Sequence, residues 1–158
     1  MERMALRSRI DVDLRVNFEA SMLKRLHVVA AVICRNDVVL AAKRLPGGAA
    51  SEKWEFPGGK VEATESPQAA LIREIREELD LSIAIDSELG TFITDTDRHT
   101  IELQCFICRA HNVAITLRSH SEIRWLRLDE LHTLDWAAPD LPAVAELLQM
   151  RGELQPKP

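Results

Sequence analysis

The sequence predicts an α/β fold of the α+β kind, in which a mixed β-sheet is packed between helices. Apolar, β-rich runs alternate with turn signals along most of the chain. Two segments instead repeat apolar residues at helical spacing, one near the middle and one near the end. The resulting order, β-β-α-β-β-β-α, is satisfied by a sheet that carries helices on its faces.

The first strands are predicted at "LHVVAAVIC" (26–34) and "VVLAAKR" (38–44), which form a hairpin with its turn near Asn36 and Asp37. The small and polar residues of 45–53 predict a loop. Further along, 88–110 reads as two strands joined by a turn at 95–98, and 122–128 as another strand. The segment 140–151 predicts an amphipathic helix that ends at Gly152.

A central helix is predicted from Pro67 to Leu79, because Ser66 is a favourable N-cap and proline is favourable in the first helical position. Its buried stripe is predicted from the helical spacing of four apolar residues, Ala69, Ile72, Ile75 and Leu79.

The length of 158 residues, with 46% hydrophobic and 28% charged residues, predicts one domain. We place it at 22–152, with an N-terminal extension at 1–21 and a tail at 153–158. No apolar run has the length of a membrane span, and no signal-peptide pattern is present, so we expect a cytoplasmic protein without a membrane partner.

The net charge of −5 argues against stable nucleic-acid binding, although a bound cation could still hold a small phosphate ligand. The three cysteines, Cys34, Cys105 and Cys108, fit a reducing compartment. Cys105 and Cys108 lie three residues apart in a predicted strand and therefore point to opposite faces. We expect them to be buried thiols that share no metal.

Glu74, Glu77 and Glu78 stand at i, i+3 and i+4 on the central helix, on a face expected to lie opposite its buried stripe. Like charges at this spacing cost ~0.2–0.5 kcal/mol per pair. A solvated face relieved by Arg73 is one explanation. The other is a bound cation, because Gly58 and Gly59 allow a tight turn nearby and oxygen ligands suit Mg²⁺ or Mn²⁺.

The segment from Gly59 to Leu81 resembles the signature of the Nudix hydrolases. Gly59, Glu65, Arg73, Glu74, Ile75, Glu77, Glu78 and Leu81 match it, whereas Asp80 stands where the signature has a second glycine. That glycine ends the helix with positive φ, a conformation that aspartate tolerates better than most residues. The wider resemblance, from Leu26 to Met150, is to the MutT-like branch, which includes the CTP pyrophosphohydrolases.

The resemblance implies hydrolysis of a nucleoside diphosphate linked to another group, with Mg²⁺ or Mn²⁺ as cofactor. It assigns the metal to Glu74, Glu77, Glu78 and the Gly59 carbonyl, and water activation to Glu74. Arg73 would orient the glutamates, and Glu65 would support them. Substrate contacts are implied for Arg44, Phe56, Gly58, Gly59, Lys60 and Asp140.

Some of these positions have structural alternatives. Arg44 could be an ordinary surface arginine, and Phe56 is expected to pack beneath the diglycine turn more than to stack on a base. A further metal-binding acid of this branch falls at Ser119, six residues before Trp125, so the nearby Glu122 is a possible replacement or only a surface strand residue. Asp140 could be the N-cap of the last helix.

Asp140 nevertheless favours a cytidine-type or modified (d)NTP, because a carboxylate accepts a hydrogen bond from an exocyclic amine. Hydrolysis of 8-oxo-dGTP is an alternative substrate hypothesis, and Nudix activity on ADP-ribose, NADH or dinucleoside polyphosphates ranks below it. A non-catalytic, nucleotide-sensing Nudix module is the alternative of another class. The chain is expected to be a monomer or a homodimer.

Overall fold

The structure, a computed structural model, describes residues 23–150. The predictions about the N-terminal extension, Gly152 and the tail therefore lie outside the described residues. The two helices are α1, Pro67–Leu79, and α2, Leu141–Met150, and short 3-10 turns at Leu128–Thr133 and Ala138–Asp140 precede α2. Neither helix in the described part of the chain is long and apolar enough to cross a bilayer.

A seven-stranded mixed sheet forms the centre of the molecule. Its strands are β1 (Lys24–Arg35), β2 (Val38–Arg44), β3 (Trp54–Glu55), β4 (Gly58–Lys60), β5 (Ile83–Asp95), β6 (His99–Ala110) and β7 (His120–Arg127). β1 pairs in parallel with β6 along one edge, and antiparallel with β4 and then β2 along the other. β2 also pairs antiparallel with β3 and β7, and β5 pairs antiparallel with β6.

The sheet is covered on both faces because β1 alternates its side chains between two cores. Ala30 and Val32 belong to the core that packs against α2, whereas Val29, Ala31 and Ile33 belong to the core that packs against α1. The predicted architecture, a mixed sheet between helices, is therefore confirmed.

The ends of helix α1 follow the sequence prediction closely. The Ser66 hydroxyl accepts a hydrogen bond from the Ala69 amide at 3.1 Å, and Pro67 opens the helix. Asp80 adopts the left-handed conformation, with φ of 55°, at the C-cap, as predicted for the residue that replaces the signature glycine.

The predicted buried stripe of α1 was wrong in two of its four residues. Ala69 is exposed and the Ile72 side chain is 46% exposed, whereas Ala70 and Leu71 are buried together with Ile75 and Leu79. The buried face runs through positions 71, 75 and 79. Compared with the predicted stripe, it is therefore rotated toward Glu78. The acidic face therefore borders the buried face and does not lie opposite it.

Several elements were absent from the sequence prediction. β3 and β4 have only two and three residues, too short for any periodicity to appear. β5 begins at Ile83 rather than at 88, because two register irregularities interrupt the alternation that would identify its first half.

The predicted burial of Cys105 and Cys108 on opposite faces of the sheet is confirmed. Cys105 lies in the core on the α2 side and Cys108 in the core on the α1 side, and both are buried free thiols. Burial raises the pKa of the Cys108 thiol to about 12.

The Gly58→Ala substitution tests the approach of β4 to β1. A Cβ at Gly58 would collide with the Val29 carbonyl, which is paired backbone and has no room to move. We expect the free energy of unfolding, measured in urea, to fall by roughly 1–3 kcal/mol or more. Gly59→Ala is the comparison variant and should lose less stability, because the atoms nearest to its Cβ belong to the carboxyl end of the Glu74 side chain and not to backbone. Equal losses in the two variants would contradict this account.

Candidate active site

The diglycine strand β4 brings the backbone of Gly59 against the side chain of Glu74. A Cβ on Gly59 would occupy the space of the Glu74 carboxyl group, so only glycine permits this contact. β4 is held there by its antiparallel pairing with β1, in which Gly59 lies opposite Val29. Two of the predicted metal ligands, the Gly59 backbone and Glu74, are therefore neighbours.

Arg73 connects the signature residues. Its Nη2 and Nε donate to the two Glu65 oxygens at 2.6 and 3.0 Å, and its Nη1 donates to Glu74 at 2.9 Å and Glu77 at 3.4 Å. Nη2 also donates to the Lys60 carbonyl at 3.2 Å, which ties α1 to β4. The pKa of Arg73 is raised, mainly by its hydrogen bonds to Glu65 and Glu74. The salt bridges predicted for Arg73 are present.

The three helix glutamates differ greatly in exposure. The Glu77 side chain is 58% exposed and that of Glu74 is 17% exposed. Glu78 points toward the sheet, and its Oε2 is buried without a hydrogen-bond partner. Burial, the largest contribution, raises the pKa of Glu78 to about 7. A buried carboxylate oxygen without a partner is costly, and a cation would remove that cost.

A second cluster, which the sequence prediction missed, lies beside Glu78. Glu55 accepts a hydrogen bond from Arg44 Nη1 at 2.8 Å through one oxygen and lies 2.8 Å from His120 Nε2 through the other. Arg44, Glu55, Glu78, Ser119 and His120 line one pocket of about 200 Å³. The sequence "WEF" contained a signal for Glu55, since an acid between two aromatic residues is unusual when both are buried. Trp54 and Phe56 are both buried.

A β-bulge decides which residues of β7 face this pocket. Lys43 pairs with Glu122 and Arg44 with His120, so β7 has one extra residue, Ser121, at this point. His120 and Glu122 would share a face in a regular strand, but the bulge turns them to different faces. His120 is buried beside Glu55, while Glu122 is half-exposed and pairs with Arg124 at 2.8 Å.

The structure therefore does not bring the candidate metal ligand Glu122 to the site. It is a surface strand residue, the alternative allowed by the sequence. Ser119, the position at which the resemblance predicted a further metal-binding acid, lines the pocket.

Asp140 and Phe56 meet on the other side of Glu55. Asp140 is 5% exposed, and its Oδ1 accepts a hydrogen bond from the Phe56 amide at 2.9 Å. Asp140 immediately precedes α2 and was a candidate N-cap of that helix. Its recorded hydrogen bond, however, comes from the segment between β3 and β4 and not from an amide of the helix. Burial holds the pKa of Asp140 well above its usual value. The Phe56 ring is buried and packs on Trp136 with ring centroids 4.7 Å apart, which agrees with a packing role, although the observed partner is Trp136 and not the diglycine turn.

The donor chemistry fits a hard divalent cation. The carboxyl group of Glu74 lies against the Gly59 backbone, and Glu78 Oε2 is buried without a partner. Among residues 23–150, no three acidic, histidine or cysteine side chains converge on one point, because Glu74 and Glu77 face Arg73. Mg²⁺ usually keeps several waters and is bound together with substrate phosphates, so it does not require a preformed cage of protein ligands.

Comparison with known proteins agrees with this arrangement. Residues 24–147 match the NUDIX domain. The chain belongs to the Nudix family. The resemblance inferred from the Gly59–Leu81 signature is therefore confirmed.

Individual Nudix relatives carry two kinds of name. A putative 8-oxo-dGTP diphosphatase 2 of Mycobacterium tuberculosis is 36% identical over 122 residues, which are 76% of this chain and 86% of that protein. The CTP pyrophosphohydrolase of Escherichia coli is 29% identical over 130 residues, 82% of this chain and 96% of that protein. The solution structure of MutT from methicillin-resistant Staphylococcus aureus 252 is 37% identical, with a TM-score of 0.67, covering 81% and 98% of the two chains.

These findings make the protein a MutT-like Nudix hydrolase, an enzyme that acts on phosphoric anhydrides. Nudix hydrolases generally use a divalent metal ion, and they act on small nucleotide substrates.

Arg73→Ala tests the connecting role of this arginine, with Arg76→Ala on the exposed side of the same helix as control. Removing Arg73 leaves three glutamates without their shared cation, so we expect a lower thermal midpoint at pH 7. Arg73 lowers the pKa of Glu65, so its stabilisation is present above the ordinary glutamate pKa and is lost as pH falls through the depressed value. The difference from wild type should therefore shrink in acid. A difference that is constant with pH would contradict the electrostatic explanation.

Proposed function

We propose that this chain hydrolyses a (d)NTP to a (d)NMP and pyrophosphate with Mg²⁺, or with Mn²⁺ in its place, and that cytidine-type or modified bases are preferred. The observation that carries the proposal is the buried, unpartnered Oε2 of Glu78. It lies between the Arg73 network and the Arg44 pocket, where a cation would satisfy it.

The proposed metal ligands are Glu74, Glu77, Glu78 and the Gly59 carbonyl. A divalent cation bound there neutralises phosphate charge and lowers the pKa of a coordinated water. Glu74 is the proposed acceptor of the proton from the attacking water, because its carboxyl lies directly over Gly59. Arg73 orients Glu74 and Glu77, and Glu65 holds Arg73 in turn.

The proposed phosphate contacts come from Arg44 and Lys60, with the diglycine backbone between them. Arg44 lines the pocket, and its buried Nε has no partner, so this donor is left for a phosphate oxygen. Glu55 accepts from Nη1 and so fixes the orientation of the guanidinium group. Lys60 is exposed at the end of β4, where its ammonium can reach an outer phosphate.

Base selection is assigned to Asp140. Its Oδ1 accepts a hydrogen bond from the Phe56 amide, which fixes the orientation of the buried carboxylate. An exocyclic amine of cytosine can donate to this carboxylate, and that hydrogen bond favours the ionised form. A purine amine can do the same, so 8-oxo-dGTP is the second candidate, supported by the name of the M. tuberculosis relative.

The sensing alternative is disfavoured because Glu74, Glu77 and Arg73 are all present and joined in one network. The absence of stable nucleic-acid binding, the monomeric or homodimeric state and the cytoplasmic location stay predictions.

A substrate panel with Mg²⁺ tests the proposal. It contains the NTPs, the dNTPs, 8-oxo-dGTP and 5-methyl-dCTP, with nucleoside monophosphate and pyrophosphate as measured products. We expect kcat/KM to be highest for a cytidine-type substrate. Glu77→Gln, purified identically, controls for contaminating activity and should lose about 10- to 100-fold in activity. Activity that survives in Glu77→Gln would contradict the metal assignment, and equal rates on all bases would contradict base selection by Asp140.

Asp140→Asn isolates the base contact, because the asparagine Oδ1 can still accept from the Phe56 amide. The new amide group would oppose an amine donor with another donor. We expect kcat/KM for the cytidine substrate to fall about 10-fold relative to that for 8-oxo-dGTP. Asp135→Asn is the control, since Asp135 is an exposed partner of Lys53. An unchanged ratio of the two substrates would place base selection elsewhere.

A further inference from the structure

Three side-chain atoms in the described residues are buried without a hydrogen-bond partner: Arg44 Nε, Glu78 Oε2 and His120 Nδ1. All three residues line the same pocket of about 200 Å³. Buried polar groups in folded proteins are almost always satisfied. Their concentration around one pocket indicates that the pocket is completed by a bound group. A cation or a hydrogen-bond donor would satisfy the carboxylate oxygen of Glu78, and a hydrogen-bond acceptor would satisfy Nε of Arg44.

His120 is placed rigidly. Its side chain is 1% exposed, and its Nε2 lies 2.8 Å from Glu55 Oε1. The second Glu55 oxygen accepts from Arg44 at 2.8 Å, which keeps this carboxylate an acceptor on both sides. The ring proton of His120 must then reside on Nε2. In the neutral imidazole, Nδ1 is left with a free lone pair.

The lone pair of His120 Nδ1 and the free oxygen of Glu78 belong to neighbouring groups. Both residues line the same pocket, yet their two unpartnered atoms form no hydrogen bond with each other. A carboxylate that fixes the tautomer of a histidine, whose other nitrogen is free, is the usual arrangement around a metal-bound histidine.

We infer that His120 Nδ1 is a nitrogen ligand to the divalent cation held by Glu78, with Glu55 as the residue that orients it. This inference rests on the proposed function. His120 would replace the acid that is missing at Ser119. The replacing ligand comes from the neighbouring residue because the bulge at Ser121 turns His120 inward. Arg44 does not repel the cation strongly, because its charge is paired with Glu55.

A nitrogen ligand changes which metals the site prefers. Carboxylates and water suit Mg²⁺ and Mn²⁺, whereas imidazole also favours later transition metals such as Co²⁺. Loss of His120 Nδ1 should therefore weaken Co²⁺ binding more than Mg²⁺ binding. A merely structural histidine would affect both metals equally.

The test is pulsed EPR of the full chain loaded with Mn²⁺, without nucleotide. We expect a ¹⁴N coupling from a directly bound imidazole in the wild type, changed to a ¹⁵N coupling when only the histidines are ¹⁵N-labelled. In His120→Gln, the Gln amide nitrogen can still donate to Glu55, but no Nδ1 remains. The coupling should vanish and the Mn²⁺ dissociation constant should rise about 10-fold.

The matched control is His132→Gln, which replaces an exposed histidine on the 3-10 turn and should keep both the coupling and the affinity. His120→Asn is a second variant in case His120→Gln does not fold. It places an amide oxygen near the Nδ1 position, so it should bind Mn²⁺ more tightly than His120→Gln but without the imidazole signal.

The outcomes separate the two proposals. Bound Mn²⁺ without ¹⁴N coupling in the wild type, or a coupling that persists in His120→Gln, overturns the role of His120 and leaves the proposed hydrolysis standing. Failure of the wild type to bind Mn²⁺ or Mg²⁺ at all overturns the proposed metal-dependent function itself. Equal losses of Co²⁺ and Mg²⁺ affinity in His120→Gln count against Nδ1 ligation.

Discussion

The close approach of helix α1 to the diglycine strand β4 is the constraint on which the site depends. Gly58 leaves room for β4 to lie against β1, and Gly59 leaves room for the carboxyl of Glu74. The core below the helix, built around Leu71, Ile75 and Leu79, holds α1 against the sheet. Apolar packing thus brings several acidic side chains close together, and the favourable burial offsets their mutual repulsion.

The charges gathered by this packing are balanced in two different ways. On the outer side, Arg73 contacts Glu65, Glu74 and Glu77 at once, in a partly solvated setting where each pair contributes modestly. On the inner side, Glu55 is shared between Arg44 and His120 with little exposure to water. Glu78 lies between the two networks, and its Oε2 has no partner in either of them.

Much of this could be predicted from the sequence. Helix α1 was predicted to its terminal residues because Ser66, Pro67 and Asp80 act locally, through capping and backbone conformation. The opposite faces of Cys105 and Cys108 follow from the two-residue period of a strand. The rotation of the buried face of α1 toward Glu78 could not be predicted, because helical spacing allows neighbouring stripes and the sheet decides which one is buried.

The amino-acid sequence by itself determined the family and the class of chemistry, because the residues of the Gly59–Leu81 segment carry both by type and spacing within one helix and one turn. Only the tertiary structure decided which acids and bases share a pocket. Glu55 and His120 are 65 residues apart in the chain and meet because β3 and β7 flank β2. A single extra residue in β7 turned His120 inward and Glu122 outward. Pairing across a sheet is a long-range property, and neither composition nor local periodicity contains it.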